Sequence, residues 1–496
     1  MNPGVLSRGN SVFSNTARLN NDRSRFPTKK ALLSVSYIAL GMLAVAGRAQ
    51  AQSAPQAQPA AAGASADLPT INVTAPKPKP PQERKKNTQG AAGEAAPPPA
   101  PPVPNTQDAR TGTVGIYANS TSVATKTNTP LINIPQSVNV LTKDFITDQS
   151  PQNLTDVTRY VPGVAVHQGE GNRDELVIRG VDSSANFFVN GFRDDVQYFR
   201  DLYNAQSIEI LKGTNALTFG RGAGGGLLNR TLKEADGTRI RELSFQTGSF
   251  GDRRTTLDVG DAFSPNVAMR LNAMYEASDT FRDYGYLNRW AVNPTMTLTP
   301  SDTTKVKLSY EYYHDDRTAD RGNPSQALPG VGATRFNPTT PFAPNGDMSK
   351  FFGSPDLNRA KADVQTTMSV IEHDFENGLT VKNSTIFADY KKFYQNVYPG
   401  SAVNVGDTSF NRAAYQHWTN RQNAVNQTDF TYKTHTGPVL HTVVFGTELG
   451  KQSGIDLRNT GIFPNGNAAF PDDPSNPTYF GAVNFIHQSP GLCRPG

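Results

Sequence analysis

Cysteine, tryptophan, methionine and histidine are scarce in this sequence. Its 496 residues contain one Cys (Cys493), two Trp, seven Met and seven His. A single cysteine excludes a disulfide framework within the chain. No Ser/His/Asp or Cys/His arrangement typical of nucleophilic catalysis is evident, and the cluster His314–Asp316 lies where a strand is expected to meet a loop. We therefore expect neither an enzyme nor a resident metal or cofactor.

Long apolar runs are also missing after the first 51 residues. Residues 1–51 combine a basic segment ending at Lys30, an apolar stretch from Ala31 to Gly47 and the small-x-small sequence Ala49–Ala51. This order is typical of a secretory signal peptide. No later stretch approaches the roughly 20 apolar residues that a membrane helix needs.

A genuine excess of positive charge is missing as well. The formal net charge is +5, but residues 1–51 hold seven of the basic residues and one of the acidic residues. Without this leader, 41 basic residues stand against 42 acidic ones. The charge balance therefore gives no support to nucleic-acid binding.

Residues 52–109 form a linker dense in proline and alanine, a composition typical of disordered or polyproline-like chain. One patch differs because β-branched and polar residues alternate in it. The patch consists of Leu68, Pro69, Thr70, Ile71, Asn72, Val73, Thr74 and Ala75. Such an extended peptide can add as a strand to the edge of a partner's sheet, although a chance β-prone patch would have the same pattern.

Residues 110–236 have the pattern of a small α+β domain. Strands are predicted at 135–142, 164–167, 175–179 and 187–190, and a helix at 153–160. Asn190-Gly191 is a strong signal for a two-residue hairpin turn.

A run of glycines follows a further predicted strand in this domain. Glycines at positions 220, 222, 224, 225 and 226 predict a tightly folded turn pressed against other backbone. The spacing of Gly220, Gly222 and Gly225 also fits a dinucleotide-binding fingerprint. The amphipathic helix that must follow such a fingerprint is lacking, so nucleotide binding is not predicted.

Residues 237–496 contain long segments in which apolar and polar residues alternate, such as Val267–Glu276. Repeated segments of about ten residues with tyrosines near their ends fit a lipid-facing β-barrel with aromatic girdles. A water-soluble sandwich is the alternative for any single strand. Short turns at Ser264–Asn266 and Thr299–Asp302 alternate with long polar loops such as Thr318–Ala362, as expected for a barrel with one short-turn end and one long-loop end.

Taken in order, these features resemble the TonB-dependent outer-membrane siderophore receptors. The resemblance rests on Ile-Pro-Gln-Ser at 134–137, Tyr-Val-Pro-Gly-Val at 160–164, Ile-Arg-Gly at 178–180, Val-Asn-Gly at 189–191, Lys-Gly at 212–213, Phe-Gly at 219–220 and Gly-Gly-Leu-Leu-Asn at 225–229. The family usually has proline after Lys-Gly, where this chain has Thr214.

The resemblance implies an α+β plug domain followed by an antiparallel transmembrane β-barrel, 22-stranded in the family, in the bacterial cell outer membrane. The expected divisions are a signal peptide (1–51), a linker (52–109), a plug (110–236) and the N-terminal part of a barrel (237–496). Residues 68–75 resemble the TonB box, which engages the energising partner TonB. The implied function is uptake of a ferric siderophore, with iron carried only inside the chelate and outer-membrane lipid around the barrel. A receptor for haem or cobalamin, and a non-transporting β-barrel surface protein, are the alternatives.

Two sets of plug residues follow from the resemblance. The expected ligand contacts are Gln168, Arg173, Arg193, Tyr198, Phe199 and Arg200. Arginine and aromatic side chains together suit an anionic iron chelate, although each of these residues could equally pack the plug against the barrel wall. The structural motif consists of Arg179, Gly180, Lys212, Gly213, Gly220, Arg221, Gly225, Gly226 and Asn229. Arg179 and Arg221 are expected to form plug–barrel ion pairs.

The length of the chain predicts an incomplete barrel. Residues 237–496 with their long loops leave room for about nine or ten strands, fewer than the 22 of a plugged transporter. The last six residues, Gly-Leu-Cys-Arg-Pro-Gly, also lack the aromatic-terminated strand usual in bacterial barrels. We therefore expect a truncated receptor.

Overall fold

A computed structural model describes residues 115–167, 169–220, 224–326, 340–406 and 408–487. All of these residues belong to the unit formed by residues 98–496. The expected signal peptide (1–51), linker and TonB box (68–75), together with Gln168, Arg221 and Cys493, lie outside the described residues.

The first part of the fold is a small α+β domain, residues 115–236. Its strands are β1 (Ser120–Thr121), β2 (Thr129–Pro130), β3 (Ser137–Thr142), β4 (Val164–Val166), β5 (Leu176–Ile178), β6 (Val181–Asp182), β7 (Phe187–Val189), β8 (Phe192–Arg193), β9 (Ala205–Lys212) and β10 (Gly226–Leu232). Its helices are α1 (Lys143–Gln149), α2 (Leu154–Val157) and α3 (Ala216–Phe219), with 3-10 turns at Leu131–Asn133, Thr158–Tyr160 and Gly169–Gly171. Among the described residues, no helix is long and apolar enough to cross a membrane.

A five-stranded sheet with the order β3-β9-β10-β7-β8 organises this domain. β9 pairs antiparallel with both β3 and β10, while β10 pairs parallel with β7. β4, β5 and β6 form a separate antiparallel sheet, and β1 pairs with β2. α2 begins at Asn153, whose side chain caps the backbone N–H of Asp156, and it buries Leu154 and Val157. The helix expected over 153–160 is therefore split, since its second half is the 3-10 turn Thr158–Tyr160.

The hairpin predicted at Asn190-Gly191 is present and joins β7 to β8. Both turn residues have positive φ, 48° at Asn190 and 86° at Gly191. Two-residue turns of this kind match the twist of antiparallel strands, and Asn-Gly tolerates the left-handed backbone. The local sequence thus determines this turn.

The glycine run closes the β9–β10 hairpin against β5. The N–H of Gly213 donates to the carbonyl of Gly225 at 2.9 Å. A Cβ at Gly225 would collide with the carbonyl oxygen of Ile178 and come within 2.8 Å of the Cβ of Val181. A Cβ at Gly226 would collide with the carbonyl of Leu211, and φ there is 145°. Gly225 is required because it lets the backbone of the glycine run lie close to the backbone of β5, and not because its own φ is positive.

The second part of the fold is one large antiparallel sheet. Its strands are β11 (Ile240–Thr247), β12 (Arg253–Ser264), β13 (Val267–Asp279), β14 (Tyr286–Ser301), β15 (Thr304–Arg317), β16 (Arg359–Asp374), β17 (Leu379–Pro399), β18 (Phe410–Thr436), β19 (Val439–Ile462), β20 (Phe470–Asp472) and β21 (Asn484–Ile486). Each strand from β11 to β19 pairs with the next, while β20 pairs with β18 and β21 with β19. Within the described residues, nine long strands agree with the count expected from the length.

The faces of this sheet are inverted relative to a water-soluble sheet. On β13 the apolar residues Met269 and Leu271 are 41% and 39% exposed. Their polar neighbours Arg270 and Asn272 are 6% and 0% exposed, because they face the small domain. An exposed apolar face opposite a polar interior is the pattern of a transmembrane barrel wall. We call these the outward and inward faces.

The connections differ in length at the two ends of the sheet. Tight turns lie at 265–266, 302–303, 375–378 and 437–438, and longer loops at 280–285, 318–358 and 400–409. We name these the short-turn end and the long-loop end. Two expected boundaries were wrong, since β14 continues through Pro300 to Ser301 and β16 begins at Arg359 rather than after Ala362. The asymmetry itself is confirmed.

The close contact at Gly225 can be tested against its neighbour. Gly225→Ala should destabilise the protein by about 1–3 kcal/mol, because the added methyl overpacks the carbonyl of Ile178. Gly224→Ala is the matched control, since a Cβ there meets nothing within 4 Å. Thermal unfolding of the detergent-solubilised protein measures both. Equal melting temperatures for the two variants would contradict the close approach.

Candidate ligand-binding site

Buried ion pairs hold the small domain against the inward face of β12–β14. Asp201 lies 2.8 Å from Arg254 Nη2 and 3.1 Å from Arg289 Nη1. Glu276 lies 2.7 Å from Arg289 Nη2 and also contacts Arg254. Burial alone would raise the pKa of Asp201, but Arg289 and Arg254 outweigh it and hold that pKa well below its ordinary value. The charges of two cations and two carboxylates therefore balance in this group of four residues. We call the group the Asp201 node.

Further polar contacts join the same side of the small domain to β12 and β15. Lys233 lies 3.0 Å from Asp258 on β12. The hydroxyl of Tyr203 donates to Glu311 at 2.9 Å, and the amide of Asn204 donates to the same carboxylate at 2.8 Å. The small domain is thus attached to β12–β15 by buried, charge-assisted contacts.

Arg200, an expected ligand contact, is instead a structural residue. Its side chain is fully buried and lies 2.8 Å from Asp194. It also donates to the carbonyls of Val196 and Tyr198, and its guanidinium lies 4.3 Å from the centre of the Phe187 ring. All of its donors are thus directed into the small domain. The expectation for Arg200 is corrected because no face of it is left for a ligand.

Tyr198 and Phe199 also face the barrel rather than the opening. Tyr198 is 5% exposed and its hydroxyl donates to Asp194 at 3.2 Å. The Phe199 ring lies 4.1 Å below the guanidinium of Arg317 on β15. Arg193 is half-buried, 3.6 Å from Asp195. Tyr198 and Phe199 pack the small domain against the wall, the alternative that the sequence left open, whereas the contacts of Arg193 lie within the small domain.

Arg173 is the one described member of the expected ligand set that lines an open cavity. Its guanidinium pairs with Glu170 at 2.9 Å and with Glu175 at 3.2 Å. The cavity, of about 380 Å³, lies at the long-loop end between the small domain and the inward faces of β17–β19. We call it the mouth cavity. A second opening of about 510 Å³ adjoins it at Glu170 and reaches Arg321.

Cations and tyrosines from the sheet line the mouth cavity. The residues contributed by the strands are Lys392, Tyr394, Tyr415, His417, Thr419, Arg421, Asp456 and Arg458. Arg421 lies 3.2 Å from Asp195, and Arg458 stacks on the Tyr415 ring at 3.9 Å. Among the described carboxylates, none pairs with Arg458. This guanidinium is therefore available to an anion entering from the long-loop end.

Glu170 fixes the centre of the mouth cavity. It accepts a hydrogen bond from the Tyr415 hydroxyl at 2.6 Å, and its backbone carbonyl accepts one from Tyr394 at 2.6 Å. Burial opposes its ionisation, but the Tyr415 hydroxyl and the Arg321 guanidinium outweigh burial and lower the pKa. Glu170 is therefore charged at neutral pH and holds two of the surrounding side chains in place.

Sequence reasoning missed the strand residues of this cavity. Lys392, Tyr394 and Arg421 occupy alternating positions whose partners in register, such as Thr419 and His417, share the inward face. The alternation was visible in the sequence, but the register between β17 and β18 was not. Without the register, the residues that meet across the two strands could not be named.

The motif residues of the small domain serve its internal structure. Asn229 donates to Glu209 at 3.0 Å and accepts from the N–H of Gly191 at 2.9 Å. Lys212 donates to the carbonyl of Pro162 at 2.5 Å. Gly213 and Gly220 have φ of 104° and 67°, the latter ending α3.

Arg179 and Gly180 form the turn between β5 and β6, with φ of 51° and 79°. The side chain of Arg179 is exposed, and its expected plug–barrel ion pair is not found in the described part of the chain. The buried plug–barrel bridges are made instead by Asp201 and Lys233, with arginine or aspartate partners on the sheet. The plug–barrel ion pair of Arg179 stays a prediction, with its acidic partner expected in barrel strands outside the described residues.

Two other features do not form ligand sites. In the described segments, no group of three or more His, Cys, Asp or Glu side chains could hold a metal ion. A groove of about 810 Å³ runs across the outward face past Met269, Leu271 and Phe387. It belongs to the apolar surface that faces lipid, so we do not assign a polar ligand to it.

Comparison with known proteins agrees with this architecture. The family described as "TonB-dependent Receptor Plug Domain" matches residues 130–227. The catecholate siderophore receptor Fiu of Escherichia coli is 29% identical over 400 residues, covering 77% of this chain and 50% of that protein. The chain is similar to TonB-dependent siderophore receptors, and residues 130–227 match their plug domain. Its small domain is the plug and its large sheet is barrel wall.

Other relatives extend this comparison. The probable TonB-dependent siderophore receptor PiuA of Acinetobacter baumannii is 27% identical, covering 68% of this chain and 44% of that protein. The crystal structure of Fiu in its open form superposes with a TM-score of 0.63 at 25% identity, covering 75% of this chain and 57% of Fiu. The chain thus spans about half the length of the curated relatives it matches. With its exposed apolar face, it is a protein of the bacterial outer membrane.

The buried node around Asp201 can be tested by removing one charge. Asp201→Asn leaves Arg254 and Arg289 facing Glu276 alone, and we expect a loss of about 3–5 kcal/mol in the stability of the plug against the barrel. Calorimetry of the detergent-solubilised protein measures the transition. Asp283→Asn, which breaks the exposed pair with Lys350, is the control and should change nothing measurable. A normal transition in Asp201→Asn would show that the node does not hold the plug.

Proposed function

We propose that this receptor imports an anionic ferric siderophore across the outer membrane, energised through TonB. The observation that carries the proposal is the mouth cavity, where Arg173, Arg421, Arg458 and Lys392 surround Tyr394 and Tyr415. Guanidinium groups pair with delocalised anions and stack on aromatic rings, and tyrosine rings supply contact area. A ferric catecholate is both anionic and aromatic, so it matches this lining in charge and in shape. The named function of Fiu supports this class of ligand.

Iron in this proposal is cargo held inside the chelate, and the protein supplies no resident cofactor and catalyses no reaction. The partners are the siderophore, TonB and outer-membrane lipid. Haem or cobalamin uptake and a non-transporting surface protein remain the competing functions. Measured uptake of iron chelates separates them.

Arg458 provides the sharpest test of the ligand class. Arg458→Gln keeps a polar side chain but removes the charge, and affinity for a ferric catecholate should fall about tenfold, the equivalent of one charge-assisted contact. A ferric hydroxamate without net negative charge should bind equally well to both proteins. Fluorescence quenching or calorimetric titration measures both ligands.

Arg359→Gln is the matched control for this experiment. Arg359 lies at the same long-loop end but on the outward face, where it pairs with Asp316. Its substitution should leave catecholate affinity unchanged. An Arg458→Gln variant that binds the catecholate normally would remove the support for an anionic ligand.

Val73 in the expected TonB box tests the energy coupling. Val73→Pro removes a backbone donor needed for strand addition to TonB, so uptake should be lost while chelate binding is retained. Ala95→Pro, in the proline-rich part of the linker, is the control and should transport normally. Uptake of radiolabelled chelate by iron-starved cells that express the full-length receptor is the measurement. Normal uptake by Val73→Pro would exclude residues 68–75 as the TonB box.

A further inference from the structure

The turn Gly169–Gly171, at the long-loop end of the plug, has an unusual backbone. All three of its residues have positive φ, 60° at Gly169, 54° at Glu170 and 71° at Gly171. Glycine adopts this left-handed conformation without strain, whereas a residue with a long side chain rarely adopts it. Gly171 is also required by space, since a Cβ there would collide with the backbone carbonyl of Asp320. Glu170 is therefore a charged residue held in a turn that suits glycine, and strained backbone of this kind is concentrated at binding and catalytic sites.

Glu170 is the only described residue that lines both the mouth cavity and the adjoining opening of about 510 Å³. Its carboxylate pairs with Arg173 of the mouth cavity at 2.9 Å and with Arg321 of the adjoining opening at 3.4 Å. No other described carboxylate lies within ion-pair distance of Arg321, whose guanidinium lies 4.0 Å from the centre of the Tyr398 ring. One carboxylate therefore neutralises two guanidinium groups where the two openings meet.

The same carboxylate lies close to the guanidinium that is available to a ligand. The Tyr415 hydroxyl donates to Glu170 at 2.6 Å, and the guanidinium of Arg458 stacks on the Tyr415 ring at 3.9 Å. Arg458 thus attracts an anion to the ring whose hydroxyl is bound to Glu170. The carboxylate repels that anion, because like charges in a partly buried site are screened less than charges in bulk water. Attraction by Arg458 and repulsion by Glu170 therefore act on the same ligand group.

We propose that Glu170 selects the ligand by its charge, so that the receptor favours a ferric chelate of low negative charge over a trianionic one. This selection rests on the proposed import function. While Glu170 is ionised, it neutralises Arg173 and Arg321. Lys392 is buried, so in the described lining of the mouth cavity Arg458 is the exposed cation that remains to attract a ligand. A chelate with more negative charge finds no further free guanidinium there and is repelled by the carboxylate. The favoured ligand is therefore a chelate in which only some of the iron-binding groups are catecholates.

A series of synthetic three-armed ferric chelates tests this selection, because exchanging catecholate arms for hydroxamate arms on one scaffold changes the charge with little change in shape. The ferric complex is uncharged with three hydroxamate arms, monoanionic with one catecholate arm and trianionic with three. Calorimetry measures the affinity of each chelate for the detergent-solubilised full-length receptor and for its Glu170→Gln variant. The substitution should increase the affinity for the trianion about tenfold, the equivalent of removing one nearby like charge, and leave the affinity for the uncharged chelate unchanged. In the unmodified receptor, affinity should rise from the uncharged to the monoanionic chelate and then level off.

Asp316→Asn is the matched control for this experiment. Asp316 pairs with Arg359 at the same long-loop end but on the outward face. Its substitution therefore removes the same charge from the protein without altering the lining of either opening. All affinities should stay as in the unmodified receptor. An equal gain of affinity for the trianion in Asp316→Asn would assign the effect to the overall charge of the protein and overturn the role of Glu170.

The outcomes separate charge selection from the import function. A Glu170→Gln variant that binds every chelate more weakly overturns charge selection, since Glu170 then only holds Tyr415 and Arg321 in place. An unchanged affinity of the variant for the trianion, or a further rise in affinity from monoanion to trianion in the unmodified receptor, overturns it too. Normal binding of the uncharged chelate shows that the variant is folded. If the unmodified receptor binds no chelate of the series, charge selection and the import function both fail, whereas the other outcomes leave import intact.

Discussion

A sheet that faces lipid on one side must place its charged residues on the other. This constraint organises the protein, because alternation along each strand sends every second side chain inward. Arg254, Arg270, Arg289, Glu276 and Asp258 are therefore all directed at the plug. A plug that filled this space with apolar side chains would leave those charges unpaired. The carboxylate of Asp201 pairs with Arg254 and Arg289, and the ammonium of Lys233 pairs with Asp258.

The fold was largely predictable because its signals are local. Asn190-Gly191 determines a turn through backbone conformation, and the alternation in Val267–Glu276 identifies a wall strand. The glycine run indicated close backbone approach, and Gly225 lies against Ile178. The boundary errors near Pro300 and Ala362 have a common cause. Strand length is set by pairing with neighbouring strands, and proline or polar residues do not end a strand that its neighbours continue.

The site was less predictable because it depends on long-range register. The expected ligand residues came from the plug sequence alone, and of those described only Arg173 lines the mouth cavity. Arg200 is a residue type suited to contact an anionic ligand. It pairs instead with Asp194, which lies six residues away in the sequence. Arg458 meets Tyr415 only after β18 and β19 are aligned, and Arg421 meets Asp195 only after the plug is packed against β18. A single sequence gives the direction of each side chain but not the partner across the sheet.

The burial of the Asp201 node affects how the attachment of the plug responds to the salt concentration outside the cell. Mobile ions screen charges that solvent reaches, whereas pairs enclosed by protein are screened much less. The pair between Asp201 and Arg289 is therefore little weakened when the salt concentration outside rises, because each residue is only 2% exposed. Arg458 at the mouth meets the surrounding electrolyte directly. Salt therefore screens the charge of Arg458 at the mouth cavity much more than it screens the ion pairs that hold the plug to the wall.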